Sequence, residues 1–364
     1  MRGIFVSEKI FKSNTGNTYY TSVISLICMI LMISNPEAIM NSAKNALVMC
    51  FTAIIPALFP FMVASSVFVN SVDRKFFFIA EPAMRFFFGI SAAGAAALIP
   101  GILCGYPVGA SCTCKLYEKN QISKSEAESL IAFSNNSGPL FIIGSVGCGI
   151  LKNFRQGIYL YAIHILCAVI CGIILKPYTV QTVKSIQSSK SEKRAVSFVD
   201  AVCDSTSAVL KVCGFVVIFA VINAVIMPLI RFFPPIVKCF AAAFLELTNA
   251  VGTANRQINS TVLKLMIISG AMGWSGLSVH MQVKSIVKTH NLSMKKYYFI
   301  KIVAAVISML LAYLFFGNLF STDIQSTLIM LSCIFLLAAI TLIIRNTVKS
   351  LLYRKRKYKT KNAV

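Results

Sequence analysis

Apolar runs long enough to cross the roughly 30 Å hydrocarbon core of a bilayer recur along this chain at residues 45–69, 157–175, 208–230, 297–316 and 326–344. A single soluble core cannot absorb so many. Across the 364 residues, 57% are hydrophobic and only 13% charged, against roughly 45–50% and 25% in soluble domains. The fold class expected is an all-α polytopic membrane protein, which excludes an ordinary soluble enzyme.

The net charge of +23, from 35 Lys and Arg against 12 Asp and Glu, would suggest nucleic acid if it formed one face. Instead the basic residues are scattered through the gaps between apolar runs and gathered in a tail: Arg345, Lys349, Arg354, Lys355, Arg356, Lys357, Lys359 and Lys361. That is the pattern of topology determinants, with the tail cytoplasmic against anionic lipid. The partner expected is the lipid bilayer, with no nucleic acid. At the N-terminus, Arg2, Lys9 and Lys12 precede an apolar run at 20–34, and Asn35-Pro36-Glu37 follows it in place of a small-residue cleavage site. A retained first helix with a cytoplasmic N-terminus is expected. Of twelve cysteines, most lie inside apolar runs, among them Cys28, Cys50, Cys167, Cys171, Cys213 and Cys333, and read as reduced small hydrophobes. Cys104, Cys112 and Cys114 lack paired ligand spacing and a nearby His, so neither a metal site nor a cofactor is expected.

Two stretches, 87–149 and 236–282, are apolar but broken by Gly, Pro, Asn and Ser. Irregular backbone at membrane depth survives only inside protein or along a cavity. The first follows the run 45–69 and precedes 157–175; the second follows 208–230 and precedes 297–316. Ser137-Gly138-Pro139-Leu140 echoes Ser275-Gly276-Leu277-Ser278, and Phe61-Met62-Val63-Ala64 echoes Phe215-Val216-Val217-Ile218. Paired interruptions in corresponding halves are the signature of a transporter built from internal repeats. The organisation expected is an N-terminal segment with the first helix (1–44), a first repeat half (45–176), a polar linker (177–205), a second half (206–317), and a last span with the basic tail (318–364).

Four motifs carry candidate chemistry. Gly101-Ile-Leu-Cys-Gly105-Tyr106-Pro107-Val-Gly109-Ala110 continues a ridge of small residues at steps of four. The ridge suits close helix packing, while Pro107 suits a helix broken at 105–109 with freed carbonyls. Ser134-Asn135-Asn136-Ser137-Gly138-Pro139 suits a helix start with Pro near the first position, or an amide and hydroxyl cluster holding a polar or anionic ligand at a half-helix N-terminus. Glu246, followed by Thr248, Asn249 and Gly252, is the only acidic residue between Asp204 and Asp323. It reads as an intramembrane cation or proton ligand, or as an interfacial Glu paired with Lys264 or Arg256. In Gly273-Trp274-Ser275-Gly276-Leu277-Ser278-Val279-His280-Met281-Gln282, the Gly-x-Ser-Gly order raises an intramembrane serine protease. His280, however, is five residues on, about 140° around a helix from Ser275. The better reading has Trp274, Ser275, Ser278, His280 and Gln282 lining the second half of a substrate site, with His280 read equally as a satisfied core residue, and no enzyme is expected.

Together Gly101–Ala110, Asn135–Gly144, Glu246–Gly252 and Gly276–Val283 resemble the sporulation integral membrane proteins of the YlbJ/SpoVV group, within the wider nucleoside-recognition Gate family. The resemblance covers roughly residues 45–316. It implies a transporter-like fold similar to concentrative nucleoside carriers and the movement of dipicolinic acid across a forespore membrane. Asn135, Asn136 and Ser137 would hold one carboxylate of this flat dianion, Trp274 or Tyr106 would stack on its ring, and His280 would meet the second carboxylate. Glu246, Thr248 and Asn249 would couple an ion, and Gly101, Gly105, Pro107, Gly109, Gly138, Pro139 and Gly276 would break the helices. A nucleoside or other small metabolite would suit the same amides. A non-transporting scaffold of spore assembly and a homo-oligomer are the remaining readings. No Walker motif is present, so ion coupling and facilitated diffusion stay open.

Overall fold

The computed structural model describes residues 15–71, 79–176 and 197–319. The expected last span at 326–344, the basic tail, Arg2, Lys9, Lys12 and most of the linker lie outside the described residues. Among the described residues all regular structure is helical, and five helices are long and apolar enough to cross a membrane: Pro36–Val69, Phe154–Ile174, Phe198–Leu229, Thr261–His290 and Lys295–Gly317. A sixth span is formed if Glu81–Phe88 and Ala92–Leu103, bent by 90°, count as one. This is an integral, multi-pass membrane protein.

The chain opens with α1 (Thr15–Ser34), then α2 (Pro36–Met49) and α3 (Ile55–Ser71), joined through a π-wound turn at Cys50–Ile54. The span expected at 45–69 thus begins earlier. Asn35 caps α2, its side-chain oxygen accepting from Ala38 N–H at 3.4 Å, and Pro36 sits where its missing N–H costs nothing. After the short α4 (Glu81–Ala83) come α5 (Ala95–Leu103), α6 (Val108–Glu118) and α7 (Lys124–Ser134), then a π-wound segment Leu140–Ile150 and α8 (Phe154–Ile174). The second part holds α9 (Phe198–Leu229), α10 (Pro235–Leu245), α11 (Leu247–Gln257), α12 (Thr261–Trp274), α13 (Gly276–Val287) and α14 (Lys295–Leu319). Helix α9 reaches back into the stretch expected as linker because Ser197 and Asp200 form a capping box at its start.

Close backbone approach holds the core together. A Cβ at Gly273 would stand 2.5 Å from the Ala304 carbonyl oxygen, fixing α12 against α14, and one at Gly147 would stand 2.7 Å from Gly157 Cα, fixing the π-wound segment against α8. In lipid, where apolar surface gains nothing by leaving the solvent, such small-residue contacts carry helix association. Large apolar side chains such as Phe86, Phe232, Phe299 and Tyr313 point outward, as a hydrocarbon surround allows. All eleven described cysteines are free.

Polar contacts define two ends of the bundle. At one end Glu118 meets His290 (2.8 Å), Ser293 N–H donates to Glu128 (3.1 Å), Ser91 N–H donates to Glu126 (2.9 Å) and Lys176 donates to the Phe86 carbonyl. Helix α8, 21 residues or about 31 Å long, runs from this end to the other. There Asn255 Nδ2 donates to the Ile150 carbonyl at 3.2 Å. Helices α5 and α6 therefore open toward the Glu118 end, and α10 and α11 toward the Ile150 end.

Candidate functional site

Helices α5 and α6 form a hairpin whose tip is Cys104-Gly105-Tyr106-Pro107, with Gly105 left-handed at φ +91°. The tip presses on the break between α7 and the π-wound segment. A Cβ at Gly105 would lie 2.8 Å from Gly138 N, and one at Gly138 would lie 3.0 Å from the Cys104 carbonyl oxygen. Below the tip, Gly101 and Gly109 straddle the last carbonyl of α7: added Cβ atoms would stand 1.9 and 2.2 Å from Ser134 O. Gly101 and Gly109, inside α5 and α6, pack against that helix end, and the chain is non-helical between Leu103 and Val108. Pro107 serves as N-cap of α6, and Pro139 as N-cap of the π-wound segment.

Helices α10 and α11 form the second hairpin. Its tip is Glu246, extended at φ −154°, ψ 133°, whose carboxylate accepts from Asn249 N–H at 2.8 Å. A carboxylate there neutralises the positive end of α11. This tip presses on the break between α12 and α13, where Ser275 (φ +74°) and Gly276 (φ +77°) are both left-handed. A Cβ at Gly276 would lie 3.1 Å from Glu246 Cα and 3.2 Å from the Leu245 carbonyl oxygen. In each case a hairpin tip meets a glycine at a helix break, backbone to backbone.

Between the two tips lies a cavity of about 340 Å³. Its polar lining is Tyr106, Ser145, Glu246, Thr248 and Gln282, and its walls are apolar, from α2 and α3 (Met49, Leu58, Phe61), from Val212 and Val216 of α9, and from Val279. Leu103, Cys104, Gly105 and Gly138 bring the first tip and the first break to its surface. Among the described lining residues there is one carboxylate and no Lys, Arg or His.

Several expected binding residues sit behind this cavity. At the first break, Asn136 Nδ2 donates to the Phe133 carbonyl at 2.8 Å, Ser137 N–H donates to His164 Nε2 at 3.0 Å, and Lys301 Nζ donates to the Asn135 carbonyl at 2.8 Å. The Tyr106 hydroxyl faces Ser137 and the Tyr297 hydroxyl faces Asn135, yet neither contact has full hydrogen-bond geometry: the Asn135 amide and the Ser137 hydroxyl are buried without a bonded partner. At the second break, His280 Nδ1 meets the Tyr297 hydroxyl at 3.0 Å, and Gln282 Nε2 donates to Ser278 Oγ at 3.3 Å. Ser275 Oγ donates to the Met272 carbonyl at 3.2 Å. Trp274 donates to the Phe244 carbonyl at 3.2 Å and stacks on the Phe244 ring, which ties α12 to α10. Glu246 has no ion pair with Lys264 or Arg256 among the described residues, and none of those residues holds three or more His, Cys, Asp or Glu together for a metal.

Sequence reasoning missed His164, Ser145 and Lys301. Lys301 is the one with a readable signal. A lone charge inside the apolar run 297–316 stands out because an intramembrane ionisable group is costly and rarely incidental. In the structure it is 3% exposed and places a cation at the negative end of α7.

Over 337 residues the chain is 28% identical to the sporulation integral membrane protein YlbJ of Bacillus subtilis (strain 168), covering 81% of this chain and 83% of that protein. The two are distant homologues. No family model matches the chain, and no solved structure matches it.

Proposed function

We propose that this protein is a carrier that moves a small anionic metabolite, dipicolinate, across a membrane of a sporulating cell, the forespore membrane or the cell membrane. The observation that carries the reading is the pair of hairpin tips docked on helix breaks around one cavity. Discontinuous helices around a central space are how carriers bind solute without a permanent pore. The order helix, hairpin, broken helix, helix occurs in α2–α8 and again in α9–α14. We read the two as inverted repeat halves, 45–176 and 206–317, flanked by 1–44, a linker 177–205 and 318–364. What supports this is the opening of the two hairpins toward opposite ends. The Glu118 end is assigned to the cytoplasm, since Lys184, Lys190, Lys193 and Arg194 fall in sequence between Lys176 and Ser197.

A dianion entering beside Glu246 meets like charge in a low-dielectric space. Neutralising Glu246 with a proton or sodium ion removes that repulsion, so the Glu246, Thr248 and Asn249 cluster couples the cation to the solute. Tyr106 supplies the stacking face and Gln282 a hydrogen-bonding amide. Asn135, Asn136, Ser137, Ser275, Ser278 and His280 act from behind, and Trp274 latches the second hairpin. A second reading, an uncharged nucleoside as solute, is favoured by the lack of any basic residue in the described lining.

Uptake by the purified protein in liposomes decides between them. Saturable, cation-dependent uptake of labelled dipicolinate is expected, lost in Gln282→Leu with the protein still folded. Uptake of nucleoside alone would select the second reading. A scaffold would keep its role in spore formation in Gln282→Leu and move neither compound.

A further inference from the structure

A second pocket, about 210 Å³, opens toward the Glu118 end between α3, α6 and α9. Its chemistry is the reverse of the central cavity's. Ser65, Ser66, Ser111, Lys115, Asp204 and Lys211 line it. Lys115 Nζ donates to Ser66 Oγ at 2.7 Å and lies 3.6 Å from Asp204, whose side chain is 64% exposed. Lys211 has no carboxylate partner among the described residues. The pocket therefore carries two ammonium groups and several hydroxyl donors against one exposed carboxylate, which favours an anion.

The two spaces meet along three elements at once. On α3 the central cavity ends at Phe61 and the second pocket begins at Met62; on the first hairpin the change comes between Tyr106 and Val108; on α9 it falls between Val212 and Lys211. At these three changes lie Phe61, Met62, Tyr106, Val108 and Val212, between a basic, hydroxyl-lined space and the cavity. We propose that this pocket is an anion-collecting vestibule, in which Lys115, Lys211 and the surrounding serines bind the carboxylate or phosphate group of a soluble solute before it passes Phe61 and Tyr106. The proposal rests on the carrier reading for its role in transport. Its binding chemistry is independent of that reading.

The two separate experimentally. In phosphatidylcholine liposomes, whose headgroups carry no net charge, Ser111→Cys is labelled with an anionic (sulfonatoethyl) or a cationic (trimethylammonioethyl) methanethiosulfonate, and the peptide bearing the new Cys is quantified by mass. The ratio of the two rates cancels any change in thiol reactivity. A preference for the anionic reagent is expected, falling about tenfold in Lys115→Gln/Lys211→Gln, the low end of what a charged cleft adds to local concentration. Lys115→Arg/Lys211→Arg should keep it. An unchanged ratio, or a cationic preference at the start, overturns the vestibule. In the transport arm the glutamine pair should raise KM for dipicolinate about tenfold and leave an uncharged nucleoside unaffected. Equal loss for both overturns the proposal, while absence of all uptake overturns the carrier reading and leaves the labelling ratio to decide the vestibule.

Discussion

The two helix breaks solve the same problem by opposite means. The first, at 135–139, is wide, and its freed backbone groups are bound by side chains from distant helices, His164 on α8 and Lys301 on α14. The second is a pivot at Ser275 and Gly276, both left-handed, with Ser275 N–H and Oγ bonded within α12. Charge is divided the same way. A buried cation lies behind the first break and a buried carboxylate sits on the hairpin facing the second. The first break is thus held by the tertiary structure and the second by local geometry, so damage should spread differently from each.

The largest effect should come from Gly101→Ala. Its Cβ would stand 1.9 Å from Ser134 O, and a buried helix end cannot yield, so about 3 kcal/mol or more is lost. Thermal unfolding in detergent and the yield of folded protein measure it; a normal melting temperature would contradict the docking of the first hairpin. Next is His164→Leu, which leaves the buried Ser137 N–H without an acceptor at a cost of about 2 kcal/mol. If the first break depends on distant groups, this variant melts lower than any single loss of a hydrogen bond at the second break. Trp274→Phe removes the bond to the Phe244 carbonyl while keeping the stacking, about 1 kcal/mol. An equal or greater effect there than in His164→Leu would reverse the comparison. The smallest stability change is expected for Glu246→Gln, which keeps an acceptor for Asn249 N–H and loses only the charge at the α11 N-terminus, about 0.5 kcal/mol. Its consequence should appear in transport, as loss of proton or sodium dependence in liposomes.

Interruption is legible in the sequence because Gly, Pro and adjacent amides are poor in helix interiors: helices end within or beside 101–109, 134–139 and 275–276, although Gly101 and Gly109 themselves lie inside α5 and α6. The sequence could not reveal that each hairpin tip rests on the other motif of its pair, Gly105 on Gly138 and Glu246 on Gly276, since such contacts join residues about 30 apart and leave no local pattern. Asn35-Pro36-Glu37 shows the same limit at short range. It reads as the end of one run and proves to be the start of α2, where Asn35 caps and Pro36 fits the first turn. His164, 27 residues on from Ser137, takes its place there only through the packing of α8 on the first break. The cavity's composition was the least legible part, because its apolar walls at Met49, Leu58 and Phe61 are indistinguishable in sequence from lipid-facing residues.

The central claim is that solute passes through the cavity between the two tips. Ser145 lines that cavity on the π-wound segment and takes part in neither the Gly105–Gly138 nor the Glu246–Gly276 contact, so Ser145→Trp obstructs it from a wall residue. Labelled dipicolinate uptake by wild-type and Ser145→Trp protein, reconstituted at equal amounts and with equal melting temperatures, is the direct measurement. Saturable uptake is expected in the wild type and none in the variant. Undiminished uptake by Ser145→Trp would contradict passage through this cavity.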